Sequence, residues 1–288
     1  MMLKVVQSVR GLPDLDLVLN PGDVSMDAYD ALPVFTRTGT HWTNTIALPF
    51  EWQLHPAQCR KQIGESMRAS ELFPWQKRMP KLIWRGSSSN CRITRCKMAP
   101  AAEDKASMEA CGRLPLGEVR DCTWNFTTWL QMPRGRLVWL SHFFPDIDAK
   151  LVINEHLQHY MDPELEDFLR SEGLIEEPMP AVKQARYKYA IAVEGDSAPD
   201  RVYWQLFTGS VLLIPDGPWQ VLALHDLLEP FVHFVPVRYD LSDLPEQIMW
   251  LRQNDYQAQR IAQNGMAFAR RYLSCEALAY FVDQLLRE

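Results

Sequence analysis

Short apolar runs alternate with longer amphipathic stretches along this chain of 288 residues. The short runs predict strands over Asp16–Asn20, Leu32–Thr36, Lys81–Trp84, Leu137–Leu140, Tyr189–Val193, Val211–Ile214 and Val232–Val237. The amphipathic stretches predict helices over Ala57–Leu72, Pro163–Glu172, Pro199–Phe207, Pro245–Asn254, Ala258–Tyr272 and Glu276–Leu286. Strands that alternate with helices are typical of an α/β protein, and we expect that fold class here.

The composition is that of a folded globular protein, with 47% hydrophobic and 23% charged residues. These values exclude a disordered, collagen-like or coiled-coil chain, and the length predicts two units or one large one. Thirty Lys and Arg residues against 36 Asp and Glu residues give a formal net charge of −6. A nucleic-acid partner is therefore not expected, and any anion that the protein binds must be held by local groups.

Neither a membrane span nor a leader is visible in the sequence. No apolar stretch approaches the ~20 residues that cross a bilayer, and the residues before Asp16 lack an apolar core with a cleavage site. We therefore expect a cytoplasmic location. The six cysteines show neither a C-x-x-C pair nor zinc-ligand spacing, which predicts reduced structural thiols and leaves open a bridge within residues 91–122.

The segment 187–201 is the first candidate for binding chemistry. A predicted strand enters a turn at Gly195, takes a small-residue step at Ser197 and Ala198, and continues into a predicted helix whose first turn holds Arg201. Backbone N–H groups at a helix start, with an arginine beside them, suit a diphosphate. The alternative is an ordinary turn with a solvated arginine.

The segment 81–90 is the second candidate, because another predicted strand ends in a loop of glycine and hydroxyl residues: Arg85, Gly86, Ser87, Ser88 and Ser89. Backbone amides, hydroxyls and a cation at the carboxyl end of a strand favour a phosphate or sugar hydroxyls, although a polar turn is the simpler reading. The spacing is not that of a Walker loop. Two such loops in one α/β chain predict a nucleotide crevice.

Two further residues and two acidic triplets are weaker candidates. Asp23 follows a predicted strand and could accept a proton from a hydroxyl, or it could be a turn aspartate. His233 alternates with apolar residues in a predicted strand, where a buried structural role is the commoner one. The D-x-D triplets 14–16 and 146–148 could hold a divalent metal between phosphates, but so short a motif more often marks surface carboxylates.

Five motifs in order give the chain a resemblance to a known family. They are GLPDLDLVLNPGD (11–23), ALPVFTRTG (31–39), FPWQKRMPKLIWRGSSS (73–89), YKYAIAVEGDSAPDR (187–201) and LLEPFVHFVPVRYDLSDL (227–244). Together they resemble glycosyltransferase family 90, the family of Rumi-type protein O-glucosyltransferases and fungal capsule-associated xylosyltransferases, and the resemblance extends over nearly the whole chain.

The resemblance implies a GT-B-like fold, in which two Rossmann-like units flank a cleft. It divides the chain into a reduced acceptor-side unit (1–74), a nucleotide-sugar-binding unit (75–265) and C-terminal helices that pack back on the first unit (266–288). The implied enzyme is an inverting, metal-independent hexosyl or pentosyl transferase of glycan biosynthesis. It needs no cofactor and moves glucose or xylose from a UDP-sugar to a glycan or glycoprotein acceptor.

The resemblance also implies roles for the candidate residues. Asp23 matches the general base, and His233 matches a supporting position in the element P-W-x-H-Y, written here with Phe231 and Phe234. The UDP-sugar-binding positions are Arg85, Gly86, Ser87, Ser88, Ser89, Gly195, Ser197, Ala198 and Arg201.

The chain departs from the family at several positions. Ser88 and Ser89 stand where the glucosyltransferases commonly have Arg-Thr, and Glu194 and Glu229 stand where animal members carry basic residues. An enzyme without a leader, as expected above, fits a microbial, algal or viral source. Two alternatives to this function stay open. The chain could be a relative that binds a UDP-sugar without turnover, or a metal-dependent GT-A-type transferase that uses one D-x-D triplet. The sequence does not choose between glucose and xylose, which differ by one hydroxymethyl group.

Overall fold

Two separate parallel sheets organise the protein. A computed structural model describes residues 18–20, 34–36, 38, 45–88, 125–153, 161–195, 198–217 and 224–287. The small sheet has the order β1-β2-β3, from β1 (Val18–Asn20), β2 (Val34–Thr36) and β3 (Thr45–Ala47). The large sheet has the order β5-β4-β6-β7-β8, from β4 (Met79–Gly86), β5 (Ile147–Leu151), β6 (Tyr187–Ile191), β7 (Val211–Pro215) and β8 (Val235–Val237). The α/β class expected from the sequence is therefore confirmed.

Helices connect the strands and follow the last one. They are α1 (Glu51–Leu54), α2 (Pro56–Leu72), α3 (Phe126–Leu130), α4 (Pro133–Phe143), α5 (Pro163–Ser171), α6 (Ala181–Gln184), α7 (Arg201–Gln205), α8 (Leu244–Gln253), α9 (Asp255–Tyr272) and α10 (Cys275–Leu285). Local chemistry sets several of the starts. The side chains of Asn125, Asp162 and Ser274 accept hydrogen bonds from the first turns of α3, α5 and α10. Proline occupies the first turn of α2, α4, α5 and α8, where its missing N–H costs nothing.

The large sheet has a point at which the chain reverses its direction across the sheet. From β4 the chain moves to β5 on one side, and it then crosses to β6 on the other side. This is the flavodoxin-like doubly wound order, in which ligands bind outside the carboxyl ends of the strands at the reversal. The carboxyl ends of β4 and β6 therefore mark the place to search for a site.

Helices cover both faces of the large sheet. Successive side chains of β4 point to opposite faces, and each face packs against helices in its own apolar cluster. Trp84 belongs to one cluster, together with Leu137 of α4. Ile83 belongs to the other cluster, together with Tyr203 of α7 and Phe268 of α9. Both faces of the sheet are thus buried, as expected for parallel strands.

The last helix returns to the small sheet. Val282 and Leu286, at the end of the chain, form a cluster with Phe35 of β2 and Leu48 just after β3. The division at residues 74 and 265 stays a prediction, and its second boundary falls inside α9. None of the helices in the described part of the chain is both long and apolar enough to cross a membrane.

One strand prediction is wrong, and two strands, β3 and β5, were missed. The run Leu137–Leu140 lies within α4, which begins at Pro133. A short apolar run cannot be told from a buried stretch of helix by periodicity alone, and the proline was the signal for a helix start. The missed strand β5 has alternating buried and half-buried side chains, the ordinary pattern of an edge strand.

A disulfide joins Cys59 of α2 to Cys275 of α10, with the two Cα atoms 5.9 Å apart. The expectation of reduced thiols is therefore wrong for this pair, and the other four cysteines lie outside the described residues. The two positions are 216 residues apart in sequence, so only the packing of α10 against α2 reveals that they meet. Disulfides persist in oxidising compartments, which argues against the cytoplasmic location expected above.

Replacing both Cys59 and Cys275 by serine is expected to lower the free energy of unfolding by ~2–4 kcal/mol, because the bridge restricts a long loop of the unfolded chain. Urea unfolding of the oxidised proteins measures the difference. Reductant should destabilise the wild type to the level of the double variant and leave the double variant unchanged. A wild type that unfolds at the same urea concentration with and without reductant contradicts a stabilising bridge.

Candidate functional site

The candidate site lies at the carboxyl edge of the large sheet, around the reversal between β4 and β6. Gly86, Ser87 and Ser88 leave β4 there, and Ala192 to Gly195 continue from β6. The loops after β7 and β8 bring Gly217 and Tyr239 to the same edge. Because all five strands are parallel, these loops converge although they are far apart in sequence.

Arg201 is a cation at this edge. It opens α7, its guanidinium lies 5.4 Å from the centre of the Trp84 ring, and its Nη1 donates a hydrogen bond to the Arg85 carbonyl oxygen over 3.1 Å. Within the described part of the chain Arg201 forms no ion pair with a carboxylate. Burial, with a smaller contribution from Arg134, lowers the pKa of Arg201 to about 10, so the group stays charged at neutral pH.

Arg134 is another cation at this edge, and it links two of the loops. It lies in the first turn of α4, immediately after Pro133. Its Nε donates to the carbonyl oxygen of Glu194 and its Nη1 donates to that of Ser87, each over 2.9 Å. Its guanidinium is 6.0 Å from the centre of the Trp84 ring, so the guanidinium groups of Arg134 and Arg201 both lie beside this ring. We call Arg134 and Arg201 the arginine pair.

Gly86 lets the chain pass closely beside this pair. A Cβ atom at position 86 would lie 2.6 Å from the Trp84 ring and 3.0 Å from Nη2 of Arg201. Any side chain here would therefore have to displace the buried tryptophan or the cation above it. The glycine predicted as a loop residue is required by the packing of the site.

Glu194 is a buried acid at the same edge, with 5% of its surface exposed. The Tyr239 hydroxyl donates a hydrogen bond to its Oε1, and a Cβ atom at Gly217 would lie 2.8 Å from its Oε2. Burial raises the pKa of Glu194 to about 8, while the Tyr239 hydrogen bond and the charge of Arg134 act in the opposite direction. The carboxyl group is therefore mostly uncharged at pH 7.

The arrangement suits a compact anion with more than one negative charge. Two like charges that act on one another are held beside one indole ring, with an uncharged acid nearby. A diphosphate would relieve the repulsion between the guanidinium groups and accept hydrogen bonds from Arg201. The geometry at the reversal of the sheet therefore indicates an anion site of the kind that nucleotides occupy.

Arg85 lies elsewhere, although the sequence placed it in the nucleotide loop. Its guanidinium is buried and forms ion pairs with Asp148 of β5, over 2.8 Å, and with Glu176, over 2.7 Å. It also donates to the carbonyl oxygens of Trp84 and Asp148. The Arg85 side chain thus links β4 to the edge strand β5 through these contacts. We therefore do not assign the binding of the diphosphate to Arg85.

The structure brings together several of the other predicted residues. Gly86, Ser87, Ser88, Gly195 and Ala198 all lie at the carboxyl edge. The Ser88 hydroxyl accepts a hydrogen bond from Nε1 of Trp129, which orients that side chain within the protein. Three predicted residues, Asp23, Ser89 and Ser197, lie outside the described residues.

His233 is not brought to the site. It precedes β8, at the amino edge of the sheet, whereas the arginine pair lies at the carboxyl edge. Its Nδ1 accepts a hydrogen bond from the backbone N–H of Glu229, and its ring lies 5.1 Å from that of Phe268. Burial lowers the pKa of His233, so the ring is neutral at pH 7. A supporting role in the site does not fit this position.

The second D-x-D triplet is engaged with basic partners. Asp146 pairs with Arg252 of α8, and Asp148 pairs with Arg85 and accepts a hydrogen bond from the Tyr187 hydroxyl. The described residues contain no group of three or more His, Cys, Asp or Glu side chains placed to hold a metal ion. The first triplet, residues 14–16, lies outside them.

Three residues of the site were not identified as such from the sequence: Arg134, Glu194 and Tyr239. Arg134 was missed because the sequence predicts a strand over Leu137–Leu140 instead of a helix, and Pro133 was the available signal for the start of α4. Glu194 was noted only as a departure from the family. Nothing local marks Tyr239, because its partner is 45 residues away in sequence.

A protein-family model matches the second part of the chain. The family model described as glycosyl transferase family 90 matches residues 124–288, more than half of the chain. The matched region contains both members of the arginine pair, Glu194 and Tyr239.

Similar proteins come from a virus and from vertebrates. The chain is 26% identical to uncharacterized protein 179R of Invertebrate iridescent virus 6, over 88% of this chain and 20% of that protein. It is 24% identical to protein O-glucosyltransferase 1 of Rattus norvegicus, over 99% and 64%. It is 25% identical to protein O-glucosyltransferase 2 of Danio rerio, over 100% and 49%. The chain thus spans between a fifth and two thirds of the length of these relatives.

Solved structures give distant likenesses. Anabaena Alr3699/HepE in complex with UDP-glucose aligns with a TM-score of 0.41 and 13% identity, over 94% of this chain and 98% of that one. The sucrose-phosphate synthase (tll1590) from Thermosynechococcus elongatus aligns with a TM-score of 0.39 and 13% identity, over 88% of each chain. Because both TM-scores are below 0.5, we infer neither the fold nor the function of this chain from these alignments.

Proposed function

The chain belongs to glycosyl transferase family 90, and from this premise we propose that it transfers glucose or xylose from a UDP-sugar to a hydroxyl group of a glycan or glycoprotein acceptor. The observation that carries the proposal is the arginine pair beside Trp84, at the reversal of a doubly wound sheet. The names of the rat and zebrafish relatives, protein O-glucosyltransferases, support the class of reaction.

The donor is proposed to lie with its diphosphate against the arginine pair. The glycosidic C–O bond to phosphate breaks during transfer, so negative charge grows on the departing diphosphate. Two guanidinium groups that are already in place stabilise this charge without a change of solvent structure at the moment of reaction. On this proposal the arginine pair supplies the charge that a divalent metal supplies in metal-dependent transferases, and no cofactor is needed.

Asp23 is proposed as the general base of an inverting displacement. The acceptor oxygen forms the new bond to the anomeric carbon from the face opposite UDP, its proton passes to the Asp23 carboxylate, and UDP departs with the electrons of the broken bond. The two sheets correspond in this proposal to the two units of a GT-B arrangement, with the acceptor on the side of the small sheet and the donor on the large one.

A UDP-release assay with UDP-glucose and UDP-xylose, with and without a strong chelator, tests this function. We expect chelator-resistant release of UDP from one of the two donors, as hydrolysis or as transfer to added glycan acceptors. Release that stops in chelator would point to the metal-dependent alternative. Saturable UDP-sugar binding without turnover on any acceptor would point to a relative that binds the donor without transferring it, and absence of binding would overturn the proposal.

A further inference from the structure

We propose that Glu194 is a positioning residue that, as the uncharged acid, preserves the positive charge of the arginine pair for the donor diphosphate and thereby couples donor binding to the uptake of a proton. This inference rests on the proposed function, because it assigns the diphosphate to that pair. It goes further by giving a role to Glu194, which forms no ion pair with any residue in the described part of the chain.

The position of Glu194 makes its charge matter to the arginine pair. Arg134 donates a hydrogen bond to the main-chain oxygen of Glu194 over 2.9 Å, and its charge acts on the Glu194 carboxyl group. Arg134 in turn acts on Arg201. A negative charge on Glu194 would therefore reduce the net positive potential of the pair and repel an incoming diphosphate.

The packing around Glu194 holds the carboxyl group in one place. The Tyr239 hydroxyl, from the loop after β8, donates to Oε1, and the loop after β7 places Gly217 against Oε2. A side chain at position 217 would collide with the carboxyl group, so the site is shaped around it. Of the described titratable groups, Tyr239 and Arg134 are those that act on this carboxyl group.

The protonation state follows from this environment. Burial is the largest influence and raises the pKa of Glu194 to about 8, so the acid is mostly uncharged at pH 7. Tyr239 stays a neutral hydrogen-bond donor, because its own pKa is raised well above 10, first by burial and then by Glu194. A bound diphosphate would raise the pKa of Glu194 further, since a like charge disfavours the ionised form. Proton binding and donor binding therefore favour one another.

The test compares the pH dependence of UDP-glucose binding in the wild type and in Glu194→Gln by calorimetry. Between pH 8 and pH 9, below the pKa of Arg201, the dissociation constant of the wild type should rise towards a limit of ~10-fold per pH unit, and that of Glu194→Gln should not. Buffers of different ionisation enthalpy should show proton uptake on binding near pH 8 by the wild type only. Ionisation of the uracil ring at higher pH affects both proteins equally and cancels in their ratio.

Tyr239→Phe gives a second test that a merely structural role would not pass. The Tyr239 hydrogen bond favours ionised Glu194, so its loss should raise the pKa of Glu194 and move the alkaline weakening of binding to higher pH. Tyr187→Phe is the matched control. Tyr187 lies at the start of β6, away from the site, and its hydroxyl donates a hydrogen bond to Asp148 of β5. It should leave the pH profile unchanged.

The outcomes separate this inference from the proposed function. A wild type that binds UDP-glucose with the same alkaline weakening as Glu194→Gln overturns the role of Glu194 and leaves the function standing. A wild type that binds no UDP-sugar at any pH overturns the function itself. If Glu194→Gln fails to fold, the direction of the shift in Tyr239→Phe decides, and an unshifted profile there contradicts the proposal.

Discussion

Asp23→Asn is expected to lower kcat by ~10²–10⁴-fold, the range that general base catalysis typically contributes. An asparagine amide cannot accept the proton of the attacking hydroxyl, so the acceptor oxygen remains a poor nucleophile. The dissociation constant for UDP should not change, because the proposed base faces the acceptor and the arginine pair holds the diphosphate. The loss should therefore fall on kcat and on kcat/KM to the same extent.

Steady-state transfer rates and UDP calorimetry on the same preparations measure the two effects. Asp16→Asn is a suitable control, because it makes the same chemical change seven residues earlier in the same segment. Near-normal turnover in Asp23→Asn would move the base to another residue. A loss of UDP binding in that variant would mean that Asp23 supports the fold or the donor site.

The location of the site follows from the sequence to a useful extent. Two loops with glycine and small polar residues after predicted strands indicated a crevice, and the structure places both at the reversal between β4 and β6. This worked because glycine and small residues are local marks of a close backbone approach. Gly86 is the clearest example, since its contacts with Trp84 and Arg201 leave no room for a side chain.

The choice of cation did not follow from the sequence. Arg85 and Arg201 look equivalent there, since each is close to a glycine loop. Side chains alternate along a strand, so Arg85 points away from the face that Trp84 occupies and reaches Asp148 on the neighbouring strand. Strand order and register decide which of the two arginines pairs with carboxylates of the sheet and which one can bind a ligand. Neither strand order nor register can be read from one sequence.

His233 shows how a small error in a strand boundary changes an interpretation. The sequence predicts a strand from Val232 to Val237, whereas β8 begins at Val235. The histidine therefore lies in the turn that precedes the strand, and in a parallel sheet this turn is at the edge opposite the site. The apolar residues of the turn carry the same periodicity as the strand, so their pattern does not mark the boundary.

Arg201→Gln is expected to weaken binding of UDP and of the UDP-sugar donor by ~10–100-fold. The reason is that a charge-assisted hydrogen bond to phosphate contributes ~1.5–3 kcal/mol, and glutamine supplies neither the charge nor the planar fork. Arg201→Lys should fall between wild type and Arg201→Gln, because lysine keeps the charge but loses the stacking on Trp84.

Arg270→Gln is the matched control for Arg201→Gln. Arg270 is an exposed arginine on α9, so its replacement removes the same charge from the protein without touching the site. Calorimetry with UDP at moderate and at high salt separates a direct contact between Arg201 and UDP from the general attraction of UDP by the charge of the protein. Salt screens the effect of a distant charge more readily than that of a buried one. If Arg270→Gln weakens binding as much as Arg201→Gln, the anion is attracted by the overall charge of the protein and the arginine pair does not bind it.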